Sequence, residues 1–576
     1  MTAHLSATTP SGDPVPAGTR HATAVDAVAE RWYARTLELD PAQAALHGIR
    51  PHETGYRDYG PDGPRAWAEA ARDTLAELAR TTPADDTDRV TAHALRERLG
   101  VGLDLHEAGL TGWEVNNIAS PVQEIREVFD GLPRGGAEDW RALAQRLRAV
   151  PGAVAGYLRA LHQAQARGRS ASADQMRTAA GQARGYAAPG GFFDRLARHR
   201  RVPEALREEV AAAAAAAREA YSGLADALSG ELTVRARGTD AVGPEEYALR
   251  LREFLGAVVD PAELYAWGVD HLADIVDEQR RLARRIVPGA SVAEAVAFLD
   301  ADPARRLHGT GALQAWMQEL SDAAVDALAG THFEITAPMR RLECRIAPTH
   351  DGGIWYTGPS ADFSRPGRMW WSVPEGTELF TTWEQTTTVY HEGVPGHHLQ
   401  FATALANAAE LNLWRRAGLW VSGHGEGWAL YAERLMDELG FLEDPGDRMG
   451  MLDSQRLRAA RVVFDIGFHC GFTVPGELGD ALGGARPGAV WSAEDGWRFL
   501  RANIVMAEPM LRFEWLRYRG WPGQAPSYKA GQRLWERSRE HARAAAGARF
   551  RLRDFHTRAL RLGSVGLDTL EFALNL

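Results

Sequence analysis

Cysteine is scarce. Two in 576 residues, Cys344 and Cys470, cannot build a disulfide framework or a thiolate zinc cluster, so stability has to come from an ordinary core. No run of eighteen apolar residues occurs, which gives no membrane-spanning helix. The alanine block Ala211–Ala217 is flanked by charges and reads as a helix in water. Positive charge is in deficit. A net charge of -11 offers no basic face for phosphates, so nucleic acid is excluded as the main partner. No G-x-S-x-G elbow is present and Cys470 lies in an apolar helix, which leaves a serine or cysteine nucleophile without support. Residues 1–20 are rich in Thr, Pro and Gly and lack the apolar centre of a secretory leader; a frayed segment is expected there. The expectation is a soluble, cytoplasmic protein of undetermined oligomeric state, with no membrane partner.

Hydrophobic content is 45% and charged content 24%, ordinary values for a globular chain. Most of the chain carries helical periodicity, for example Val25, Val28, Trp32 and Leu39 before Asp40-Pro41. Further helical patterns cover roughly 64–98, 138–168, 203–228, 245–285, 291–300 and 311–328. After residue 330 the texture changes. "HFEITAPMRRLECRIAP", "GGIWYTGPS" and "GRMWWSVPEG" read as short strands before helical patterns resume. The expected fold is mainly α: a helical part over 21–330 and a smaller mixed α+β part over 331–576 that carries the chemistry.

That chemistry centres on "TTVYHEGVPGHHLQ", residues 387–400. The familiar zinc helix H-E-x-x-H is missing. His391 stands six residues before His397 and seven before His398, across Gly393, Pro395 and Gly396. On a regular helix, residues seven apart are separated by about 10.5 Å along the axis. Zn–N bonds are about 2 Å, so no single ion spans that gap. Pro395 breaks the backbone ladder and the glycines accept unusual angles, so a local bulge absorbing two residues would bring His397 beneath His391. His398 then points elsewhere, as a group behind the ligands or one that meets substrate. Glu392, directly after the first ligand, is placed to take a proton from water as general base. A capping box of Thr382 and Gln385 is expected to start this helix.

Zinc with an open position needs a third ligand. In "GHGEGWALYAERLMDELG", Glu426 and Glu433 share a helix face but are too far apart for both to reach one ion. Glu426, after Gly425, is the expected ligand, and Glu433 the group that orients a histidine.

"YHEGVPGHHLQ", "GEGWALYAERL", "RVVFDIGFH" and "WPGQAPSYKAG", preceded by "DFSRPGRMWW", resemble the signature blocks of the DUF885 family and, with it, the gluzincin metallopeptidases. The blocks span about 391 to 531 in that family's order; the first 330 residues match weakly, mainly at "NNIASPVQEIREVFD". The resemblance implies a zincin-like, mostly helical hydrolase with a deep cleft, one zinc ion on His391, His397 and Glu426, and Glu392 as base. It implies no substrate.

Two further blocks fit that setting. Arg458, Arg461, Asp465 and His469 form a polar stripe on an otherwise apolar helix, and a buried charged stripe needs partners or a site. Asp465, one turn before His469, is expected to hold that imidazole, and His469 to donate to a substrate oxyanion. Tyr528 is expected to donate to the same oxyanion, with Lys529 or Arg517 binding a substrate carboxylate. Arg365 and Arg368 suit a cleft wall. The leading expectation is a zinc-dependent hydrolase of peptide or amide bonds. One alternative keeps the site for a small amide, ester or C–N substrate; another is a non-catalytic, metal-stabilised binding protein.

Overall fold

The computed structural model describes residues 20–349 and 353–576. The segment expected to fray, apart from Arg20, lies outside the described residues. The chain is mainly helical, as its periodicity requires, with two small sheets. Several long sequence patterns resolve into pairs of helices. The pattern over 64–98 becomes Gly63–Leu78 and Asp86–Glu107, and 245–285 becomes Pro244–Leu255 and Pro261–Ile286, each break marked by a turn. Among the described residues no helix is long and apolar enough to cross a membrane.

The strands are β1 (Arg306–His308), β2 (Leu342–Ile346), β3 (Ile354–Thr357), β4 (Gly367–Trp371) and β5 (Leu379–Thr381). β1 pairs with β5. The other three form one sheet in the order β2-β4-β3, with β4 parallel to β2 and antiparallel to β3. Met369 of β4 lies opposite both Cys344 and Tyr356. All three face inward, as strand alternation dictates, while Glu343, Arg368 and Trp370 face out. Burial pushes the Cys344 thiol up to about 12, so it behaves as a small core residue.

The largest core runs from Val25 to Leu570 and draws on both sides of residue 330. A second core, Ala42 to Leu232, fills the N-terminal helices, and a smaller one backs the three-stranded sheet. The helix Thr382–Glu392 lies between two of these cores. Tyr390 packs into the largest, Val389 into that of the sheet. Burying each such side chain stabilises by about 1.5–3 kcal/mol, so both faces of this helix are held firmly.

Two more helices complete the frame. Ser422–Glu438 is buried nearly all round. It crosses Ser527–Ala546 so closely that a β carbon on Gly427 would sit 2.5 Å from the Gly531 carbonyl carbon. Pro445–Cys470 starts with the Asp444 carboxylate accepting the Gly446 and Asp447 amides, and stops at Gly471, whose φ of +71 suits glycine.

Candidate metal centre

The Thr382–Glu392 helix begins one residue earlier than the expected capping box. Thr381 bonds Glu384 at 2.8 Å, and Thr382 and Gln385 form no box. At its other end the expected bulge is a full break. The helix stops at Glu392, a turn containing the cis Val394–Pro395 bond intervenes, and a new helix runs His397–Ala406. The turn folds back tightly: the Gly396 amide donates to the Tyr390 carbonyl at 3.0 Å. A β carbon on Gly396 would lie 1.9 Å from the His391 carbonyl oxygen, so only glycine fits there. The Trp428 indole donates to the Pro395 carbonyl at 2.9 Å, tying the turn to the acidic helix.

The break brings the imidazoles of His391 and His397 to 4.9 Å between ring centres, at 88°. Glu426 Oε2 lies 3.4 Å from His391 Nε2 and 3.5 Å from His397 Nε2. Ligands about 2.0–2.1 Å from a tetrahedral ion are about 3.3 Å apart, so each histidine nitrogen stands from this oxygen at the spacing of two ligands in one shell. Glu392 also offers an oxygen within 4.8 Å of nitrogens on both histidines. Glu392 thus completes one triple with the histidines, and Glu426 Oε2, within 3.5 Å of both Nε2 atoms, completes another. Glu392 Oε2 is buried and, among the described residues, has no hydrogen-bond partner, which leaves it able to handle a proton. All four side chains are 5–7% exposed.

Glu433 stands behind His391. Its Oε1 accepts from His391 Nδ1 at 2.7 Å, so Nδ1 carries the hydrogen and Nε2 faces Glu426. Its Oε2 accepts from Thr387 and from Ser454, each at 2.9 Å. Ser454 in turn accepts from Arg458 Nη1 at 2.9 Å. Burial would raise Glu433, but these partners and the histidine hold it below its ordinary value. Burial would lower His391, yet Glu426 and Glu433 outweigh it and raise the imidazole to about 10. Burial raises Glu392, with the Glu426 charge adding to it against the two histidines. Three carboxylates buried around two imidazoles form a donor set that fits a divalent cation such as zinc.

His398 is 1% exposed and turns away from this cluster. Its Nε2 donates to the Met339 carbonyl at 2.8 Å and its Nδ1 accepts from the Tyr356 hydroxyl at 2.9 Å. Burial pushes it down to about 4, and it serves as a neutral pin between the second histidine helix and the sheet.

The expected Asp465–His469 pair does not form. Both lie on one helix face, but Tyr247 enters between their roles: its ring stacks on His469 at 5.7 Å and its hydroxyl donates to Asp465 at 2.7 Å. Asp465 also accepts the Gly523 amide at 3.0 Å. His469 Nε2 donates to the Tyr518 carbonyl at 2.8 Å, so the donor expected for an oxyanion is spent on the backbone. Burial sends the two groups opposite ways, Asp465 up to about 7 and His469 down to about 4. An Asp with a raised folded-state pKa stabilises fully below its unfolded value near 3.8, and that contribution is lost as pH climbs towards 7. Asp465→Asn keeps the acceptor and removes the titration. It is expected to stabilise the protein at pH 8 by up to about 4 kcal/mol, with little gain below pH 4, read by calorimetric melting across pH.

Burial first, then the charge of Glu426, raises the Tyr528 phenol. The Arg461 guanidinium sits 5.1 Å from the Tyr528 ring centre. Arg461 and Arg517 are bridged by Glu514, at 2.8 and 3.1 Å, and Arg517 also donates to Gln524 at 2.6 Å. Lys529 is pushed down to about 7 by burial and donates to Gln455 and Gln532. Arg365 donates to the Pro366 carbonyl at 3.3 Å, and Arg368 is engaged by Glu343 at 2.9 Å on the outer face of the sheet. Tyr356, Trp428, Ser454 and Glu514 were not singled out by the sequence. Only Trp428 carried a signal, inside the block around Glu426.

The fold and this site define a mainly helical protein with a buried His-Glu-His cluster backed by two more glutamates. The chain belongs to the DUF885 family, described as bacterial proteins of unknown function, whose model matches residues 41–574. Two solved structures share the fold, each described as a "putative lipoprotein". The one from Colwellia psychrerythraea has a TM-score of 0.80 at 21% identity, covering 96% of this chain and 98% of its own. The one from Shewanella oneidensis, of unknown function, has a TM-score of 0.71 at 14% identity, covering 96% and 100%. No curated protein matches the chain at a significant level.

Proposed function

We propose that this protein is a zinc-dependent hydrolase of peptide or amide bonds, built on the gluzincin plan. The observation that carries the reading is Glu426 Oε2, at 3.4 and 3.5 Å from the two histidine nitrogens, with the unpartnered Glu392 oxygen alongside. His391, His397 and Glu426 would hold the metal, and Glu433 would fix the His391 tautomer. Bound zinc supplies a Lewis acid that polarises a carbonyl and acidifies water. Glu392 accepts a proton at its free Oε2 and returns it to the leaving amine, a task suited to a carboxyl raised above its ordinary value. Tyr528, whose phenol feels the Glu426 charge and whose ring lies under the Arg461 guanidinium, would donate to negative charge developing on the carbonyl oxygen. His469 has no part in this scheme.

The test is metal analysis of the purified protein with a hydrolysis panel of peptides and small amides, before and after chelation. One equivalent of zinc and chelator-sensitive cleavage are expected; cleavage indifferent to chelation would overturn the reading. Glu433→Gln keeps the shape but weakens the acceptor behind His391. Zinc affinity is expected to fall by about 10–100-fold, measured by competition with a chromophoric chelator, with turnover recovering at excess metal.

A further inference from the structure

A large chamber adjoins this centre. Phe401 and Trp420 stack at 5.3 Å and 12°. Each ring meets the His397 imidazole edge-on, at 6.3 and 6.1 Å, and each also lines a cavity of about 790 Å³. The cavity is therefore one aromatic layer from the metal centre. Its volume lies within the roughly 300–1,000 Å³ of small-molecule sites. Trp32, Trp67, Trp414 and Trp521 add aromatic wall, and Asp58 and Gly102 are exposed at its rim.

The charged groups of the chamber lean to the acidic side. Carboxylates outnumber guanidinium groups along the walls. Among the described residues Asp40 and Glu114 have no cation within 4.0 Å, and Glu114 accepts only the Gly112 amide, at 3.0 and 3.2 Å. The pairs Arg57–Glu124 and Arg250–Glu253 are loose, at 3.9 and 3.8 Å, longer than a charge-assisted hydrogen bond. Glu124 keeps 38% of its side-chain surface accessible although its helix is packed into the second core. Gln175 is an independent case. It is 1% exposed and lines the chamber; its Nε2 is spent on the Leu516 carbonyl at 2.9 Å, while its Oε1 has no hydrogen-bond partner among the described residues. Unpartnered groups of both kinds line the chamber, Gln175 Oε1 on one side and Arg519 Nε and Nη1 on the other, but carboxylates stay in the majority, inside aromatic walls whose faces attract cations.

We infer that this chamber binds the body of the substrate and selects molecules that carry an amine or guanidinium cation next to an apolar or aromatic part. The cation meets Glu124, Glu114 and Asp40, and the apolar part packs on the tryptophans. The Arg57 charge is shared among these three carboxylates, so an anionic ligand would meet the remaining negative charge and a neutral one would leave it unpaired. The word substrate rests on the hydrolase reading above; the binding does not.

The two can therefore fail separately. Calorimetric titration of the full-length, chelator-treated protein with phenethylamine, phenethyl alcohol and phenylacetate tests binding alone. The amine is expected to bind about ten-fold tighter than the alcohol, with no detectable binding of phenylacetate. Glu124→Gln is expected to bring the amine to within about two-fold of the alcohol. Glu114→Gln, whose side chain meets only a backbone amide, is expected to act the same way, and circular dichroism checks that each variant folds. Equal affinity for amine and alcohol, tighter binding of phenylacetate, or no binding of any probe overturns the inference. Selective amine binding without hydrolysis of any substrate sinks the hydrolase reading and leaves the chamber standing. Hydrolysis without preference for cationic substrates does the reverse.

Discussion

Glu392→Gln is expected to lower turnover of an amide substrate by about three orders of magnitude while the protein retains its full complement of zinc. General acid–base catalysis by one positioned side chain is worth about 10²–10⁴-fold. Glutamine keeps the volume and the helix end but cannot take a proton. The loss should appear in kcat, with KM little changed, because Glu392 acts on the proton in flight and holds no part of the ground state. Metal content should survive because the closest donors are His391, His397 and Glu426, at 3.4–3.5 Å from one another through Glu426. The measurement is kcat beside zinc stoichiometry on the same preparation. A variant with parental kcat would remove Glu392 from the chemistry, and one without zinc would make it a ligand.

The second large effect separates two adjacent histidines. His397→Ala is expected to abolish stoichiometric zinc binding, leaving two of three donors in place. His398→Ala is expected to keep zinc and to lose stability instead. His398 ties Met339 and Tyr356 together at 2.8 and 2.9 Å with both ring nitrogens. Its removal leaves a buried carbonyl and a buried phenol unsatisfied, at about 1–3 kcal/mol each. That predicts a melting temperature several degrees lower, with zinc stoichiometry near one. Equal loss of zinc in both variants would overturn the assignment of His397.

How much of this was legible beforehand varies residue by residue. Helical periodicity placed the helices, and strand alternation placed β2, β3 and β4, because both report a side chain's own burial. The sequence pattern also pointed to His391, His397 and Glu426: helical rise rules out His398 on a regular helix, a bulge at the Pro-Gly favours His397, and Gly425 favours Glu426 over Glu433. The device that joins the histidines was read as a bulge and is a break, because how a chain reverses at Gly393–Gly396 depends on what receives it. Here that is the Trp428 indole, 33 residues away, on the Pro395 carbonyl.

Periodicity and spacing fix the local inventory: which side chains share a face, and which spacings can or cannot meet one ion. Which polar atoms are already spent depends on long-range packing. Asp465 and His469 are one turn apart in sequence, yet Tyr247, 218 residues from Asp465, takes the carboxylate, and the Tyr518 carbonyl takes the imidazole. A buried polar group must be satisfied by whatever is packed against it, and that neighbour comes from a distant part of the chain. For the same reason His398 became a pin, while Glu392 Oε2 was left free beside the two histidines.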